Sequence, residues 1–288
     1  MTMTPEQALA RLPEPYHRLY ERVVQVCSAD DRVRGLWLSG SLARGVADAG
    51  SDLDLLVAVS DDAYDTFTAD WRSWLESITP TLLAKQVPAG ILIFTALTPR
   101  LCRLDGVFER VSQLPESPFR TRVTVFDRDG LDAGIPARVD GPGPDPDRIA
   151  MIISEFWRVQ AIFPFMIDKR KDVLAAQSGV ELSARLLYDL FVECNQPLPP
   201  MGVKQFSSRL TDDQRQVLES IPAYGADRAS LITADRWICG AMARHGRAAA
   251  ERAGADYPTA LATAVGDFLD RTVGGAAQRA GDIGQSSG

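Results

Sequence analysis

The stretch LWLSGSLARGVADAGSDLDLLVAV, residues 36–59, decides how the first half of the chain folds. It opens as a short apolar run, stops at a Gly-Ser bend at Gly40-Ser41, and resumes as a second apolar run that carries Asp52 and Asp54. Short apolar runs bounded by Gly and Ser read as buried strands. Residues two apart on a strand point to one face. Asp52 and Asp54 therefore put two carboxylates on one side, with Leu53 and Leu55 on the other. Two anions so close in a half-buried place repel each other and lose hydration. A hard divalent cation relieves both penalties, and Mg²⁺ commonly takes one or two carboxylates plus substrate phosphates. Read alone, the pair is better explained by a turn cap at Asp52 and a solvated strand end at Asp54.

The upstream bend tips the balance. Gly40 lets the backbone come close to an anion. The N–H groups at a helix start, with the Ser41 hydroxyl, favour a phosphate. Arg44 stands one turn on and can neutralise phosphate charge. A plain N-cap is the simpler role for Ser41. Together the two halves read as a phosphate cradle beside a metal platform. The chain holds no GxxxxGK[ST], GxGxxG, GxSxG or HExxH pattern.

GSLARGVADAGSDLDLLV, residues 40–57, resembles the signature of the nucleotidyltransferase superfamily that includes DNA polymerase β: a Gly-Ser turn, then D-x-D on the next strand. The resemblance covers about the first half of the N-terminal domain. The overall layout is similar to the small-molecule branch, the aminoglycoside and lincosamide nucleotidyltransferases. It implies an α+β catalytic domain with a nucleotidyltransferase-type mixed sheet flanked by helices, followed by an all-helical domain. It also implies two Mg²⁺ ions, held by Asp52 and Asp54, and a nucleoside triphosphate, with ATP the expected one, whose phosphates lie on Gly40, Ser41 and Arg44. The activity implied is of the EC 2.7.7 type: a nucleoside monophosphate passes to a hydroxyl of a small molecule, an aminoglycoside or lincosamide antibiotic being the leading guess. Antibiotic resistance is the corresponding role. The family further implies a third acid on a neighbouring strand. Within LCRLDGVFERVSQ, residues 101–113, Glu109 is the preferred candidate as catalytic group and metal ligand, and Asp105 its rival. Pairing of Glu109 with Arg103 or Arg122 is the simpler alternative. Two other functions stay open: a toxin-type nucleotidyltransferase acting on a protein or tRNA, and a nucleotide-binding module without turnover.

The rest of the chain sets the frame. Residues 5–29 and 61–78 carry helical apolar spacing, and 90–97 and 120–130 read as strands. Asp105-Gly106 reads as a hairpin turn between two extended runs. PARVDGPGPDPD, residues 136–147, is the best boundary. The expected division is 1–136 for the catalytic domain, 137–147 for a linker, 148–274 for a helical substrate-binding domain, and 275–288 for a tail with little to bury. A cleft between two such domains is a common ligand site. Thr211 with Gln214 forms a capping-box pattern. The apolar stripe Leu182, Leu186, Leu190 and Cys194 marks a further helix. Glu181, Arg185 and Asp189 read as ordinary exposed helix pairs.

Composition excludes several classes. The chain has 288 residues, 45% hydrophobic, with a formal net charge of -7. No Lys/Arg-rich run marks a nucleic-acid face, which argues against DNA and against tRNA. Four dispersed cysteines and two histidines make a poor zinc site. The N-terminus has no apolar signal core. No apolar run approaches the ~20 residues of a membrane span. The expectation is a cytoplasmic protein.

Overall fold

The computed structural model describes residues 3–136, 141–198 and 206–274. Part of the expected linker and the expected tail, 275–288, lie outside the described residues. The chain divides into two compact units, Met1–Val139 and Asp140–Gly288.

The first unit is built on a six-stranded mixed sheet. Its strands are β1 (Val33–Leu38), β2 (Leu53–Val59), β3 (Leu83–Val87), β4 (Leu92–Leu97), β5 (Arg103–Arg110) and β6 (Val123–Asp127). They lie in the order β3-β4-β5-β2-β1-β6. Only β2 and β5 run parallel; the remaining neighbours are antiparallel. A parallel pair needs a crossover. Here it passes through α4 (Tyr64–Ala69), α5 (Trp71–Ile78) and the β3–β4 hairpin.

The two faces of the sheet are unequal. One packs against α1 (Pro5–Leu9), α2 (Glu14–Ala29), α4 and α5, joining Leu53, Leu55, Val57 and Val59 to Leu19, Val23, Phe67 and Trp74. Trp71, Trp74, Leu75 and Ile78 recur at helical spacing, so α5 buries a single stripe. Phe67, Trp74 and Phe94 surround Phe108, with ring centroids 5.2, 5.0 and 5.8 Å from its own. Burying each of these rings is worth about 1.5–3 kcal/mol. The opposite face is covered only in part. Trp37, Leu56, Ala58 and Leu114 form a small second core under two 3₁₀ turns, Val111–Glu116 and Leu131–Gly134. Beyond that cover, Ile93, Thr95 and Leu97 of β4 are half-buried and Leu83, Lys85 and Val87 of β3 are exposed.

Several local expectations need correction. The helix expected over 5–29 is two, α1 and α2, with Pro13 as the cap between them. The helix expected over 61–78 is likewise split, at Asp70. Asp105-Gly106 is no turn: both residues lie inside β5, opposite Thr95 and Phe94 of β4. A Cβ on Gly106 would come 2.3 Å from a carbon of the Phe94 ring, so the glycine answers ring packing and not chain reversal.

The second unit is helical: α6 (Pro146–Gln160), α7 (Val173–Cys194), α8 (Asp212–Glu219), α9 (Arg228–Ala253) and α10 (Thr259–Leu269). Asp145, Asp172, Thr211 and Asp227 cap four of them through their side chains, and Thr211–Gln214 completes the capping box. Ile149, Ile153, Phe156, Leu187, Leu190, Leu231, Ile238 and Met242 form its core. Leu182, expected on the buried stripe of α7, is exposed, and Leu187 and Phe191 are buried there instead. Pro146–Lys169 is long and apolar enough to cross a membrane, contrary to the sequence expectation. Half of its apolar window is buried inside the structure, as in the core helix of a helical bundle.

Candidate active site

The site begins where β1 runs out. Ser39 donates its N–H to the Asp54 carbonyl at 3.0 Å, which ties the bend to the start of β2. Gly40 follows with φ +58, in the left-handed region. A Cβ placed on Gly40 would lie 1.9 Å from Oδ2 of Asp54. Glycine is therefore required twice here, once by the backbone and once by the carboxylate against it. Gly40–Ala43 forms a single helical turn, α3, and Arg44 closes it with its N–H on the Gly40 carbonyl. The connection to β2 is held by Asp48, whose Oδ1 accepts from the N–H of Gly50 at 2.8 Å, while the Ser51 hydroxyl accepts from the N–H of Asp48 at 3.0 Å.

Asp54 lies inside β2 with Asp105 of β5 as its register partner. Asp52 precedes the strand. Each of the three offers a carboxylate oxygen, and these oxygens all lie within 4.8 Å of one another. Three carboxylates gathered at a partly exposed sheet end repel each other strongly. Arg103 offsets some of that charge: its Nε contacts Oδ1 of Asp52 and its Nη2 donates to the Gly50 carbonyl. The set is all hard oxygen donors, and a Mg²⁺–oxygen bond of about 2.0–2.1 Å places two ligands across one ion about 4 Å apart. The oxygens of the cluster lie close to that spacing, so the residues present fit a divalent cation.

Glu109 does not belong to this cluster. It pairs with Ala58, four residues along β5 from Asp105. At ~3.3 Å per residue it stands about 13 Å away on the same face, with the Val107 row between. It is 3% exposed, and its Oε1 accepts from the Ser117 hydroxyl at 3.0 Å. Burial pushes its carboxyl above the ordinary range, against the Ser117 hydrogen bond and the nearby Arg122 charge. The third acid of the cluster is therefore Asp105, the rival in the sequence reading. Neither Arg103 nor Arg122 makes an ion pair with Glu109; Arg103 is on Asp52. Asp105 and Glu109 have the same strand parity, and only the β2–β5 register separates them.

In the helical unit, Arg185 pairs with Asp189 at 2.9 Å and Glu181 accepts from Gln177 at 3.3 Å, as ordinary helix-surface pairs do. Asp168 pairs with Arg228 at 2.8 Å, and Glu155 with Arg158 at 2.7 Å.

A Gly-Ser bend packed on the second acid of a D-x-D strand, with a third acid on the adjacent parallel strand, is the arrangement that the resemblance to nucleotidyltransferases implies. Residues 21–94 match the family model described as "Nucleotidyltransferase domain". Residues 21–94 thus carry a nucleotidyltransferase domain, which supports an enzyme of the transferase class. No curated protein sequence matches it significantly. Among solved structures, it is similar to an aminoglycoside 6-adenyltransferase from Bacillus subtilis, at 13% identity and TM-score 0.40, over 89% of this chain and 97% of that one. It is also similar to a cytoplasmic RNA terminal U-transferase (17%, TM-score 0.28, 80% of this chain and 65% of that one). A third is CdnG, a CD-NTase of Bradyrhizobium diazoefficiens in complex with GTP (13%, TM-score 0.29, 92% and 98%). Likenesses this distant carry no substrate.

Proposed function

We propose that this enzyme transfers a nucleoside monophosphate from a nucleoside triphosphate, ATP by preference, to a hydroxyl of a small molecule, with an aminoglycoside or lincosamide antibiotic as the leading acceptor class. The observation that carries the reaction type is the meeting of Asp52, Asp54 and Asp105 within 4.8 Å, beside a glycine that lies against Asp54. The acceptor class rests on the resemblance of the two-part layout to the small-molecule branch.

In the reaction the acceptor oxygen bonds to the α phosphorus, the bond from that phosphorus to the bridging oxygen breaks, and pyrophosphate leaves. The acceptor proton passes to a nearby base. Asp52, Asp54 and Asp105 would hold Mg²⁺, which supplies Lewis acidity at the attacking and leaving oxygens. Gly40 lets the bend pack against Asp54, which sets the phosphate-binding turn beside the metal ligands. The Ser41 hydroxyl donates to a phosphate oxygen, and Arg44 balances its charge. Asp105 orients the acceptor hydroxyl and is within reach to take its proton. Positioning and charge neutralisation supply most of the acceleration. Glu109 has no part in this chemistry, being committed to Ser117 in the second core.

The test is pyrophosphate release with Mg²⁺, each nucleoside triphosphate in turn, and a panel of hydroxylated antibiotics. Asp54→Asn abolishes release while the unfolding midpoint holds. Wild-type turnover in that variant overturns the reading.

A further inference from the structure

The half-exposed part of the sheet face beside the carboxylates has a composition of its own. On β3, β4 and β5 the odd-numbered residues point away from the helices, and the register sets them in rows. Leu83 pairs with Leu97, and Leu97 with Arg103, which reaches Asp52. Lys85 pairs with Thr95, Thr95 with Asp105, and Asp105 with Asp54. Val87 pairs with Ile93, and Ile93 with Val107. The acid cluster thus continues sideways into a ledge that is apolar in its first and third rows and carries Lys85 and Thr95 in the middle. At ~4.8 Å between strands the ledge extends about 10 Å from Asp105 to the β3 edge, the length of a small glycoside.

The β3 edge carries Lys85 at its centre but leaves apolar side chains exposed on either side of it. Leu83 is 43% and Val87 41% exposed. Edge strands are ordinarily blunted by charge, proline or cover, and contiguous exposed apolar surface marks a binding site. Leu101, in the turn between β4 and β5 at the Asp52 end of the sheet, is 65% exposed and held at φ +59, a conformation that disfavours side chains. Lys85 and Arg103 are the charged residues in these rows besides the three carboxylates. An acceptor hydroxyl must sit beside Asp105 to be transferred to, so the remainder of the acceptor lies on one side of that acid or the other. On the β3–β4 side it meets leucines, a threonine and a lysine.

We propose that this ledge is the acceptor subsite, with Leu83, Lys85, Thr95 and Leu97 as its specificity residues. Its chemistry takes a hydroxylated molecule with an apolar face and at most one cationic centre, and it disfavours polycations, since Lys85 repels them and the three rows hold no acid outside the metal cluster. The assignment rests on the nucleotidyltransferase reading and chooses within it.

Calorimetry on the full chain with Mg²⁺ and a non-hydrolysable ATP analogue separates the two levels. The probes are lincomycin, amphipathic and singly basic, and kanamycin, a polycation. The wild type binds lincomycin at least tenfold tighter than kanamycin. Leu83→Asp and Leu97→Asp each weaken lincomycin tenfold or more, and Lys85→Glu narrows the gap to kanamycin. Met151→Asp, at an exposed apolar site on α6, leaves both affinities unchanged. Affinity for the ATP analogue checks the fold of every variant. A wild type that prefers kanamycin or binds neither probe, or ledge variants that bind lincomycin normally, overturns the ledge. A wild type that binds no Mg²⁺–nucleotide overturns the underlying reading instead.

Discussion

Replacing Gly40 by alanine puts the smallest side chain where the structure leaves room for none. The new Cβ would stand 1.9 Å from Oδ2 of Asp54. A carbon–oxygen contact needs more than 3 Å, so the carboxylate or the bend must move by more than about 1 Å. The backbone adds its own cost, because φ at this position is +58, and an L-residue in the left-handed region pays about 1–2 kcal/mol. Stability should therefore fall by about 1–2 kcal/mol if Asp54 yields, more if it resists. Activity should fall further than stability, since a misplacement of ~1 Å at reacting groups costs about 100-fold. The assay pairs initial rates of pyrophosphate release with a urea midpoint on the same preparation. A Gly40→Ala enzyme that stays folded and keeps turnover within threefold of wild type would refute the placement of Asp54 against the bend.

Two further outcomes follow from charge. Burial in the helical unit pushes the Asp235 carboxyl up to about 7 from 3.8, with Gln160 and Arg236 opposing. The folded state therefore holds a proton that the unfolded state has lost, and stability falls as pH rises from about 4 to about 7, then levels off, a total of about 4 kcal/mol. Asp235→Asn should raise the urea midpoint at pH 8, have little effect at pH 4, and flatten the profile between; an unchanged slope contradicts it. At the active site, Arg103 competes with a cation for Oδ1 of Asp52. Arg103→Gln should tighten nucleotide-free Mn²⁺ binding threefold or more by calorimetry, and unchanged or weaker binding refutes the competition.

The sequence was most informative where the chemistry is local. Period-two alternation placed Asp52 and Asp54 on one face, and the left-handed tolerance of glycine marked Gly40; both depend on neighbours within the same stretch. Asp105 was harder. Asp105 and Glu109 share a face of β5, and choosing between them needs the pairing of Asp54 with Asp105, a contact across 51 positions of sequence. The Asp105-Gly106 dipeptide then pointed the wrong way, because the glycine's reason is the Phe94 ring on the adjacent strand. β3 is silent in the sequence for a related cause. LAKQV is an edge strand with little buried on either side, so it lacks the alternation that reveals a strand. The ledge inherits that silence, since its rows exist only once three strands are in register.

In the proposed reaction Asp52, Asp54 and Asp105 hold a divalent cation and Glu109 does not. Mn²⁺ binding followed by electron paramagnetic resonance in the presence of nucleotide tests it without any acceptor. Asp52→Asn, Asp54→Asn and Asp105→Asn should each weaken the ion at least tenfold, and Glu109→Gln should leave it as in the wild type. Full binding by a folded Asp105→Asn protein, or its loss in a folded Glu109→Gln protein, would contradict the account.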